Sequence, residues 1–359
     1  MQNIIYVGCP QRLARRRRLE HGMTIREELE RVEQQNLSPY ATLSINSRGK
    51  EVPEEPCDVR TVFQRDRDRI LHCKAFRRLK NKTQVFLTPK GDHYRTRLSH
   101  TLEVSQNART IAKALRLNED LVEAIALGHD LGHTPFGHAG EDILNRVASI
   151  GFAHNEQSVR IVEKLEKDGR GLNLTWEVRD GILNHQSKMQ PHTLEGKIVR
   201  LSDKIAYINH DIDDAIRAQI MAEEDIPLEI RKTLGFNTKQ RLNTLVHSMI
   251  SNSRDRDDIL MAPEVHEAMI ELRSFMYSNV YKNPVAKSEE VKAKAMIEQL
   301  FYFYMEHPKF LPDKYKRMMD AGESQERVVC DYISGMTDQY CVEKFSEYFV
   351  PKAWQVDGY

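Results

Sequence analysis

Residues 129–141 read His-Asp-Leu-Gly-His-Thr-Pro-Phe-Gly-His-Ala-Gly-Glu. Gly132, Gly137, Gly140 and Pro135 interrupt helical structure directly after the His-Asp pair, because glycine and proline both disfavour a continuing helix. Three histidines and two carboxylates within thirteen residues make a poor core segment. We therefore expect the backbone to fold closely around whatever the His-Asp pair binds.

Helical periodicity surrounds this segment on both sides. Apolar residues recur at helical spacing over residues 98–115, and Asn118, followed by two acidic residues, is typical of the cap of a second helix. The inward stripe of that helix continues to His129. A third helix is predicted over residues 194–219, with an isoleucine-rich stripe on one side and Asp203 on the other. One side of the third helix is suited to the core, and the other is free for ligands or water.

The remainder of the chain favours helices and loops over strands. Alternating β-branched runs and Asn-Gly hairpin signals are missing. The C-terminal part favours helices over residues 288–306 and 325–349. We therefore predict an all-α fold in three parts. These are a loop-rich N-terminal arm over residues 1–59, a helical core over residues 60–220, and a C-terminal helical region over residues 221–359 packed on the core.

The composition excludes several classes of protein. Of the 359 residues, 40% are hydrophobic and 30% are charged, which argues against wholesale disorder. The formal net charge of zero argues against a surface built entirely for nucleic acid. No stretch approaches the roughly 18 apolar residues of a membrane span, and the five cysteines form no Cys-x-x-Cys pair. We expect a cytoplasmic protein with reduced thiols and no membrane partner.

The N-terminal arm carries a concentrated positive charge in four consecutive arginines, Arg15 to Arg18. A solvated tail is the favoured interpretation, and contact with DNA is left open. Helix-like sequence follows Met23, so a native start at Met23 is a hypothesis that an intact mass would test.

Histidines are concentrated in the predicted core, where nine of the fourteen lie between residues 93 and 210. His100 lies on the first predicted helix, His129 and Asp130 at the end of the second, and Asp203 on the ligand side of the third. Packed together, the three helices would bring these four groups to one divalent ion, and their ligand atoms suit Mn²⁺, Fe²⁺, Co²⁺, Zn²⁺ or Mg²⁺. Taken singly, His129 is more typical of a hydrogen-bonded core residue and Asp203 of a solvated one.

An ordered series of motifs extends well beyond residues 129–141. The series comprises Leu37-Ser38-Pro39-Tyr40-Ala41, Arg65-Asp66-Arg67-Asp68-Arg69-Ile70, Phe76-Arg77-Arg78-Leu79, Lys82-Thr83-Gln84-Val85-Phe86, Arg97-Leu98-Ser99-His100-Thr101-Leu102-Glu103, His154 with Glu156-Gln157-Ser158, Leu201-Ser202-Asp203-Lys204-Ile205-Ala206-Tyr207, and Asp331-Tyr332-Ile333-Ser334-Gly335-Met336-Thr337-Asp338. With these motifs the chain resembles the HD superfamily of metal-dependent phosphohydrolases and, within it, the deoxyguanosinetriphosphate triphosphohydrolase-like proteins. A bare His-Asp pair is common, whereas this series is specific at family level.

The resemblance implies an HD-domain core over residues 60–220 and assembly as a homo-oligomer. Its metal ligands would be His100, His129, Asp130 and Asp203, holding one divalent ion. The implied reaction hydrolyses dGTP, or deoxynucleoside triphosphates (dNTPs) more broadly, to deoxynucleoside and triphosphate. Water attacks the α-phosphorus while the 5′-oxygen leaves. A divalent ion would polarise the α-phosphate and lower the pKa of the attacking water.

The resemblance also implies roles in proton transfer. His138 is the candidate general acid that protonates the leaving oxygen, with Glu141, one helical turn on, to orient it. His154 would be a second positioning or proton-transfer residue. His133 would contact phosphate or line the pocket.

Substrate contacts are expected where positive charge is concentrated. Between Asp58 and Arg97 the chain has twelve Lys or Arg against four Asp, and some of these cations would pair along their own helix. Arg97 and Lys204 are the phosphate candidates. Tyr207 and Asp211 resemble the family's sugar-contacting pair, in which a tyrosine ring at the 2′-position would favour deoxyribose. Gln84 resembles a residue that reads the base or the sugar.

His185 leaves open whether the site binds a second metal. We favour one metal, because His133 stands where cyclic-dinucleotide phosphodiesterases carry Lys and no Gly-Tyr-Pro companion motif is present. Two alternative functions remain at this point. One is another HD-type phosphodiesterase or nucleotidase, and the other is a nucleotide-sensing or nucleic-acid-binding module with little turnover. Base preference and activation by a regulatory nucleotide also stay open.

Overall fold

The structure is a computed structural model that describes residues 22–84, 95–281 and 284–352, without the side chains of residues 281 and 284–288. The arginine run at residues 15–18 lies outside these ranges, as do Val85 and Phe86 of the fourth motif.

Within the described ranges, β structure is limited to two isolated bridges, so the prediction of an all-α fold is confirmed. The α-helices are α1 (Ile25–Asn36), α2 (Val62–Leu71), α3 (Lys74–Arg78), α4 (Arg97–Leu115), α5 (Glu119–Gly128), α6 (Gly137–Val147), α7 (His154–Arg160), α8 (Trp176–Leu183), α9 (Leu194–Arg217), α10 (Leu228–Leu234), α11 (Thr238–Ser253), α12 (Pro263–Met276), α13 (Pro284–Glu306), α14 (Asp313–Asp320), α15 (Gln325–Ser334) and α16 (Asp338–Phe349). Short 3₁₀ turns occur at Ser44–Asn46, Leu79–Asn81, Lys167–Gly169, Glu223–Asp225 and Pro308–Phe310, and π-helical turns at Ile161–Leu165 and Tyr277–Tyr281.

Side-chain caps explain where the main helices begin. Thr24 and Thr61 each form a capping box at the start of α1 and α2, which satisfies backbone N–H groups that the first turn leaves free. Asn118 accepts a hydrogen bond from Leu121 N and so caps α5, as predicted. Thr193 caps α9 in the same way.

The three central helices pack against one another and position the site. Helix α4 contacts α5 and α9, and α5 also contacts α9. The isoleucine stripe of α9 is buried, with Ile198, Ile205 and Ile212 at 0% exposure. The opposite side of α9 is buried too, since His210 and Asp211 are 4% and 0% exposed. Polar side chains on this side therefore need partners inside the protein.

The helix breaks at the His-Asp pair, slightly earlier than predicted, because α5 ends at Gly128 and α6 begins at Gly137. A Cβ at Gly132 would lie 2.3 Å from the main-chain oxygen of His154, so the turn packs directly on α7. Phe136 and Gly137 both have left-handed backbone angles, with φ of 61° and 58°. This turn holds a conformation that a non-glycine residue adopts only at a cost.

Two hydrophobic clusters lie beneath the helices. One extends from α2 to Val280 and includes residues of α10 to α12. The other joins α6 and Phe152 to α13, α15 and α16. The division of the chain at residue 220 stays a prediction, since the first cluster continues through it.

One helix prediction was wrong. Residues 325–349 form two helices rather than one, because α15 ends at Ser334, before Gly335, and the side chain of Thr337 caps α16 by accepting from Tyr340 N.

No helix among the described residues has the length and apolar character of a membrane span.

Candidate metal centre and active site

Four side chains from three helices meet at one point, which we call the cation cluster: His100, His129, Asp130 and Asp203. His100 lies one turn into α4, His129 and Asp130 follow the last residue of α5, and Asp203 lies in the middle of α9. His100 Nε2 is 3.1 Å from Asp203 Oδ1 and 4.0 Å from Asp130 Oδ2. His129 Nε2 is 3.4 Å from Asp130 Oδ1 and 3.7 Å from Asp203 Oδ1.

The hydrogen bonds around His129 leave one of its nitrogens facing this point. Nδ1 lies 2.7 Å from the main-chain oxygen of Ala126, which only accepts, so Nδ1 carries the proton and donates it. Nε2 therefore presents a lone pair. It is buried and has no hydrogen-bond partner among the described residues. An imidazole nitrogen buried in this state is typical of a metal ligand.

His100 is oriented by a second imidazole. Its Nδ1 lies 3.3 Å from Nδ1 of His210, and Nε2 of His210 pairs with the carboxylate of Glu103. If His210 donates from Nε2 to Glu103, its Nδ1 accepts from His100, and His100 Nε2 is left with a lone pair toward the cluster. Partners of this kind fix the tautomer of metal-binding histidines.

The distances in the cluster fit one small divalent cation. A cation with ligand bonds of about 2.1 Å brings neighbouring ligand atoms to about 3–3.4 Å from one another. The ligand atoms of His100, His129 and Asp203 all lie within 4.8 Å of one another. The side chain of Asp203 is 25% exposed, whereas His100 and His129 are at most 1% exposed, so solvent reaches the cluster at Asp203.

Both carboxylates of the cluster are ionised. Burial opposes ionisation of Asp130, but neighbouring His129 and His133 outweigh it and hold its pKa well below the usual range. Burial also opposes ionisation of Asp203, and the hydrogen bond with His100 outweighs it and lowers its pKa. Two carboxylates and two imidazole nitrogens therefore converge at one point, with the guanidinium of Arg97 beside Asp130.

Arg97 contacts the cluster from the start of α4. Its Nη1 donates to Asp130 Oδ2 at 2.8 Å, and its Nη2 donates to the main-chain oxygen of Gln84 at 3.4 Å. Arg97 is 1% exposed, and its Nε has no hydrogen-bond partner among the described residues. The guanidinium thus lies close enough to contact a molecule bound at the cluster.

A second group, which we call the histidine row, consists of Glu141, His154 and His185 bonded end to end. His154 Nδ1 donates to Glu141 at 2.8 Å, and His154 Nε2 lies 3.1 Å from His185 Nε2. His185 Nδ1 donates to the main-chain oxygen of Ile182 at 2.7 Å. Since both Nδ1 atoms carry protons, the bond between the two Nε2 atoms requires one further proton. Burial and nearby His129 lower the pKa of His185 to about 4.

The predicted partner of Glu141 needs a correction. Glu141 accepts from both the main-chain N and Nδ1 of His154, rather than from the ring of His138. The start of α7 packs beside α6 and brings His154 to Glu141. Burial opposes ionisation of Glu141, but the hydrogen bond and charge of His154 outweigh it and lower its pKa to about 2.

His133 connects the two groups. Its Nε2 is 3.5 Å from Asp130 Oδ1, and its ring stacks on His154 with centroids 4.0 Å apart. Burial, then the charges of Arg97 and His154, keep its pKa well below the usual range, so the ring is neutral.

His138 is solvent-accessible. Its ring centroid is 5.6 Å from that of His133 and 6.2 Å from that of Tyr207. The surrounding protein and the charge of Arg97 lower the pKa of His138 to about 4, below the near-neutral value expected for a general acid.

The remaining predicted substrate residues are Lys204, Tyr207 and Asp211 on α9 and Gln84 before α4. Tyr207 hydrogen-bonds Asp211, which is fully buried and whose pKa burial raises well above the usual range. Burial and the cation Arg200 lower the pKa of Lys204 to about 8. Gln84 is 3% exposed, and its Oε1 has no hydrogen-bond partner within the described ranges.

Sequence reasoning gave no role to Glu103 and His210, and it left His185 open. The sequence does contain a signal for the first two. Glu103 follows His100 by three residues and His210 follows Asp203 by seven, so each lies on nearly the same face of its helix as a residue of the cation cluster. His185 had no such signal, because its partner His154 lies on another helix.

Comparison with known proteins agrees with this geometry. Residues 97–208 match the HD domain family, and residues 259–347 match the phosphohydrolase-associated domain family. The chain is 56% identical over 332 residues to the deoxyguanosinetriphosphate triphosphohydrolase-like protein of Caldanaerobacter subterraneus, an alignment that includes 92% of this chain and 98% of that protein. The chain belongs to the deoxyguanosinetriphosphate triphosphohydrolase-like family.

Other members of this family are similar over the same extent. The proteins of that name from Clostridium perfringens (strain SM101) and Desulfatibacillum aliphaticivorans are 50% and 46% identical, each covering 92% of this chain and 99% of the relative. A solved phosphohydrolase structure from Bacteroides thetaiotaomicron is 17% identical, with a TM-score of 0.48 over 78% of this chain and 67% of that one. In the present chain, the segment that matches the HD domain family contains all four residues of the cation cluster.

Proposed function

We propose that this chain hydrolyses deoxynucleoside triphosphates, dGTP or a broader set, to deoxynucleoside and triphosphate. The observation that carries the proposal is the convergence of His100, His129, Asp130 and Asp203, with the orphaned Nε2 of His129 among them. The printed names of the relatives support the substrate class. One divalent cation would be held by these four residues, and when bound it would polarise the α-phosphate and activate water for attack.

Binding of the triphosphate would depend on Arg97 and Lys204. Arg97 already contacts Asp130, so its guanidinium lies beside the place where the α-phosphate must bind. Guanidinium groups match phosphate oxygens with two parallel donors. Lys204 follows Asp203 on α9, and with a pKa of about 8 its ammonium remains charged at pH 7.

Departure of the nucleoside requires a proton on the 5′-oxygen, and His138 is our candidate donor. In the free chain its pKa is about 4, so the ring is neutral at pH 7. A bound triphosphate places up to four negative charges nearby, which favours the protonated ring and raises its pKa. Substrate binding would therefore prepare the acid that the reaction needs.

The histidine row would hold a proton close to the reacting phosphate. His154 Nδ1 donates to Glu141, and His133 stacks between His154 and the cation cluster. A fixed positive charge at this position would stabilise negative charge that develops on the phosphate oxygens. Glu141 and His154 thus act in the mechanism as a pair.

Recognition of the deoxyribose would involve Tyr207 and Asp211. The hydrogen bond to Asp211 holds the Tyr207 hydroxyl, so the ring keeps a fixed position next to His138. A ring fixed at the 2′-carbon would exclude a 2′-hydroxyl. Gln84, with a buried and unpartnered Oε1, would read the base or the sugar.

Product analysis in labelled water tests the proposal. The full chain is incubated with Mn²⁺ and each dNTP in H₂¹⁸O, and the products are separated by ion-exchange chromatography and mass spectrometry. The proposed reaction releases tripolyphosphate that contains one ¹⁸O atom and an unlabelled deoxynucleoside. Orthophosphate, pyrophosphate or a nucleoside monophosphate as the first product would contradict it.

A second candidate is an HD-type phosphodiesterase or nucleotidase with two metals. It is favoured by the group Asp130, His133 and His154, whose ligand atoms also lie within 4.8 Å of one another. Against it, both ring nitrogens of His154 already have protein partners. The same product analysis separates this candidate from the first.

The proposal extends to manganese as the working metal, a cytoplasmic location and assembly as a homo-oligomer. Activation by a second nucleotide is a separate question. Assays with each dNTP alone and then in pairs test activation, and light scattering of the purified chain tests assembly. Binding of DNA through the arginine run is tested by titration at several salt concentrations, because phosphate contacts weaken as salt rises.

A further inference from the structure

The turn between α5 and α6 is strained at one residue. Phe136 and Gly137 are both left-handed, and Phe136 pays a steric cost for this because it has a Cβ. The turn carries His133 and leads directly into His138 at the start of α6. Whatever holds the turn therefore determines where these two rings lie.

A carboxylate of the C-terminal region holds this turn. Asp338, the first residue of α16, accepts from Phe136 N through Oδ1 at 3.0 Å. Its Oδ2 accepts from Thr83 N at 2.9 Å and also from the Thr83 hydroxyl. The Asp338 side chain thus contacts both Phe136, which has left-handed backbone angles, and Thr83, which directly precedes Gln84.

A buried lysine of the core makes the reciprocal connection. Lys82 is 2% exposed, and its Nζ donates to the main-chain oxygens of His133 and Ser334, the second at 2.7 Å. Ser334 is the last residue of α15, whose final carbonyls have no helical partner. Lys82 therefore ties the active-site turn to the end of α15, four residues before Asp338.

We propose that Asp338 is a positioning residue for the active site, acting with Lys82 to set the places of His133, His138 and Gln84 relative to the cation cluster. The inference rests on the proposed function for the identity of the reaction. It gives the phosphohydrolase-associated region, which includes both Ser334 and Asp338, a direct part in the active site. It assigns no contact with substrate to Asp338.

The chain offers a matched control in Glu326. Its carboxylate accepts from the main-chain N and hydroxyl of Ser149 at 2.6 and 2.7 Å, so it also joins the C-terminal region to a core loop. Ser149 lies beyond the end of α6, away from the turn. Glu326→Ala thus removes the same type of contact without touching residues 131–138.

The experiment compares the full-length chain with Asp338→Ala, Asp338→Asn and Glu326→Ala, all below the lowest melting temperature. Amide hydrogen exchange is measured on peptides covering residues 131–138, together with kcat and KM for dGTP with Mn²⁺. For Asp338→Ala we expect faster exchange of these peptides and a kcat lower by about 10²-fold, because small misplacements of catalytic groups have effects of this size. Asp338→Asn keeps one accepting oxygen and should fall between Asp338→Ala and the wild type.

Glu326→Ala should leave kcat and the exchange of residues 131–138 close to the wild type even if it lowers the melting temperature. The proposal is overturned if Asp338→Ala and Glu326→Ala behave alike, or if exchange rises along α15 and α16 but not at residues 131–138. If the wild-type chain hydrolyses no dNTP, the proposed function fails, and the exchange measurement still decides the role of Asp338.

Discussion

The cation cluster and the histidine row are built from the same residue types, but their hydrogen bonding differs. In the row, Glu141, His154, His185 and the main-chain oxygen of Ile182 are bonded in sequence, with one proton for each contact. In the cluster, the ring nitrogens and carboxylate oxygens face a common point, and His129 Nε2 has no donor. The row is hydrogen-bonded along its whole length, whereas the cluster leaves ligand atoms facing one point, an arrangement that suits a cation.

This difference explains why histidine and carboxylate side chains alone do not identify a metal site. What distinguishes the two groups is the partner of each second nitrogen. His129 and His185 both donate from Nδ1 to a main-chain oxygen three residues earlier. The Nε2 of His185 then meets another imidazole, while that of His129 meets two ionised carboxylates. The local helix end is the same, and the packing of other helices decides the chemistry.

The largest expected effect is on the cluster. Asp203→Ala should remove bound Mn²⁺ and lower the rate of dNTP hydrolysis by at least about 10³-fold, since metal catalysis contributes several kcal/mol. Metal content and initial rates are the measurements. Asp213→Ala, almost three turns further along α9 and paired with Arg95, is the control and should keep both. A variant at Asp203 with near-normal turnover would remove the distinction between the two groups.

The Glu141 carboxylate of the histidine row should affect the free energy of unfolding in acid. The pKa of Glu141 is about 2 in the folded chain against 4.5 for an unperturbed Glu, so its ionisation stabilises the fold above about pH 4.5 and this contribution is lost as pH falls through 2. Glu141→Gln lacks this contribution of about 3 kcal/mol. Urea unfolding between pH 6 and 2 should give curves for the two proteins that converge in acid. If the free energies of unfolding of the wild type and Glu141→Gln differed by the same amount at all pH values, the row would hold no ion pair.

His138 should affect turnover without affecting metal. His138→Gln is expected to lower kcat by about 10²-fold, as general acids typically contribute that much, while Mn²⁺ binding stays normal. Calorimetry and steady-state kinetics give both values. His192→Gln, an exposed histidine paired with Asp180, serves as the control. Loss of metal in His138→Gln would join this residue to the cluster instead.

The smallest effect is expected on Mn²⁺ affinity, for a substitution at a residue outside the cation cluster. His210→Phe removes the acceptor for His100 Nδ1 and should weaken Mn²⁺ binding by about tenfold, the lower end of the range for such partners. Titration calorimetry measures the affinity, and His266→Phe on the surface of α12 is the control. An unchanged affinity would mean that the helix alone orients His100.

The sequence was sufficient for the helices that carry the cation cluster. Periodicity predicted helices over 98–115 and 194–219, and the structure has Arg97–Leu115 and Leu194–Arg217. Apolar spacing specifies both the extent of a helix and the side that it buries, so residues on the other side of neighbouring helices were expected to meet. The helical pattern alone therefore predicts that His100 and Asp203 lie close together.

Contacts between side chains of distant segments could not be predicted in this way. Glu141 was expected to orient His138, three residues earlier, but it bonds His154, which the next helix brings to it. Asp338 bonds Thr83 and Phe136, which are 255 and 202 residues away in the chain. No periodicity records such pairs, because they depend on how complete helices pack.

Metal stoichiometry tests the central claim most directly. Chains freed of metal are equilibrated with Mn²⁺, separated from unbound ion and analysed for metal per chain. We predict one Mn²⁺ for the wild type, for Glu141→Gln and for His185→Ala, and none for Asp203→Ala. Two ions in the wild type with one lost in His185→Ala, or one ion retained in Asp203→Ala, would contradict the assignment of a single cation to His100, His129, Asp130 and Asp203.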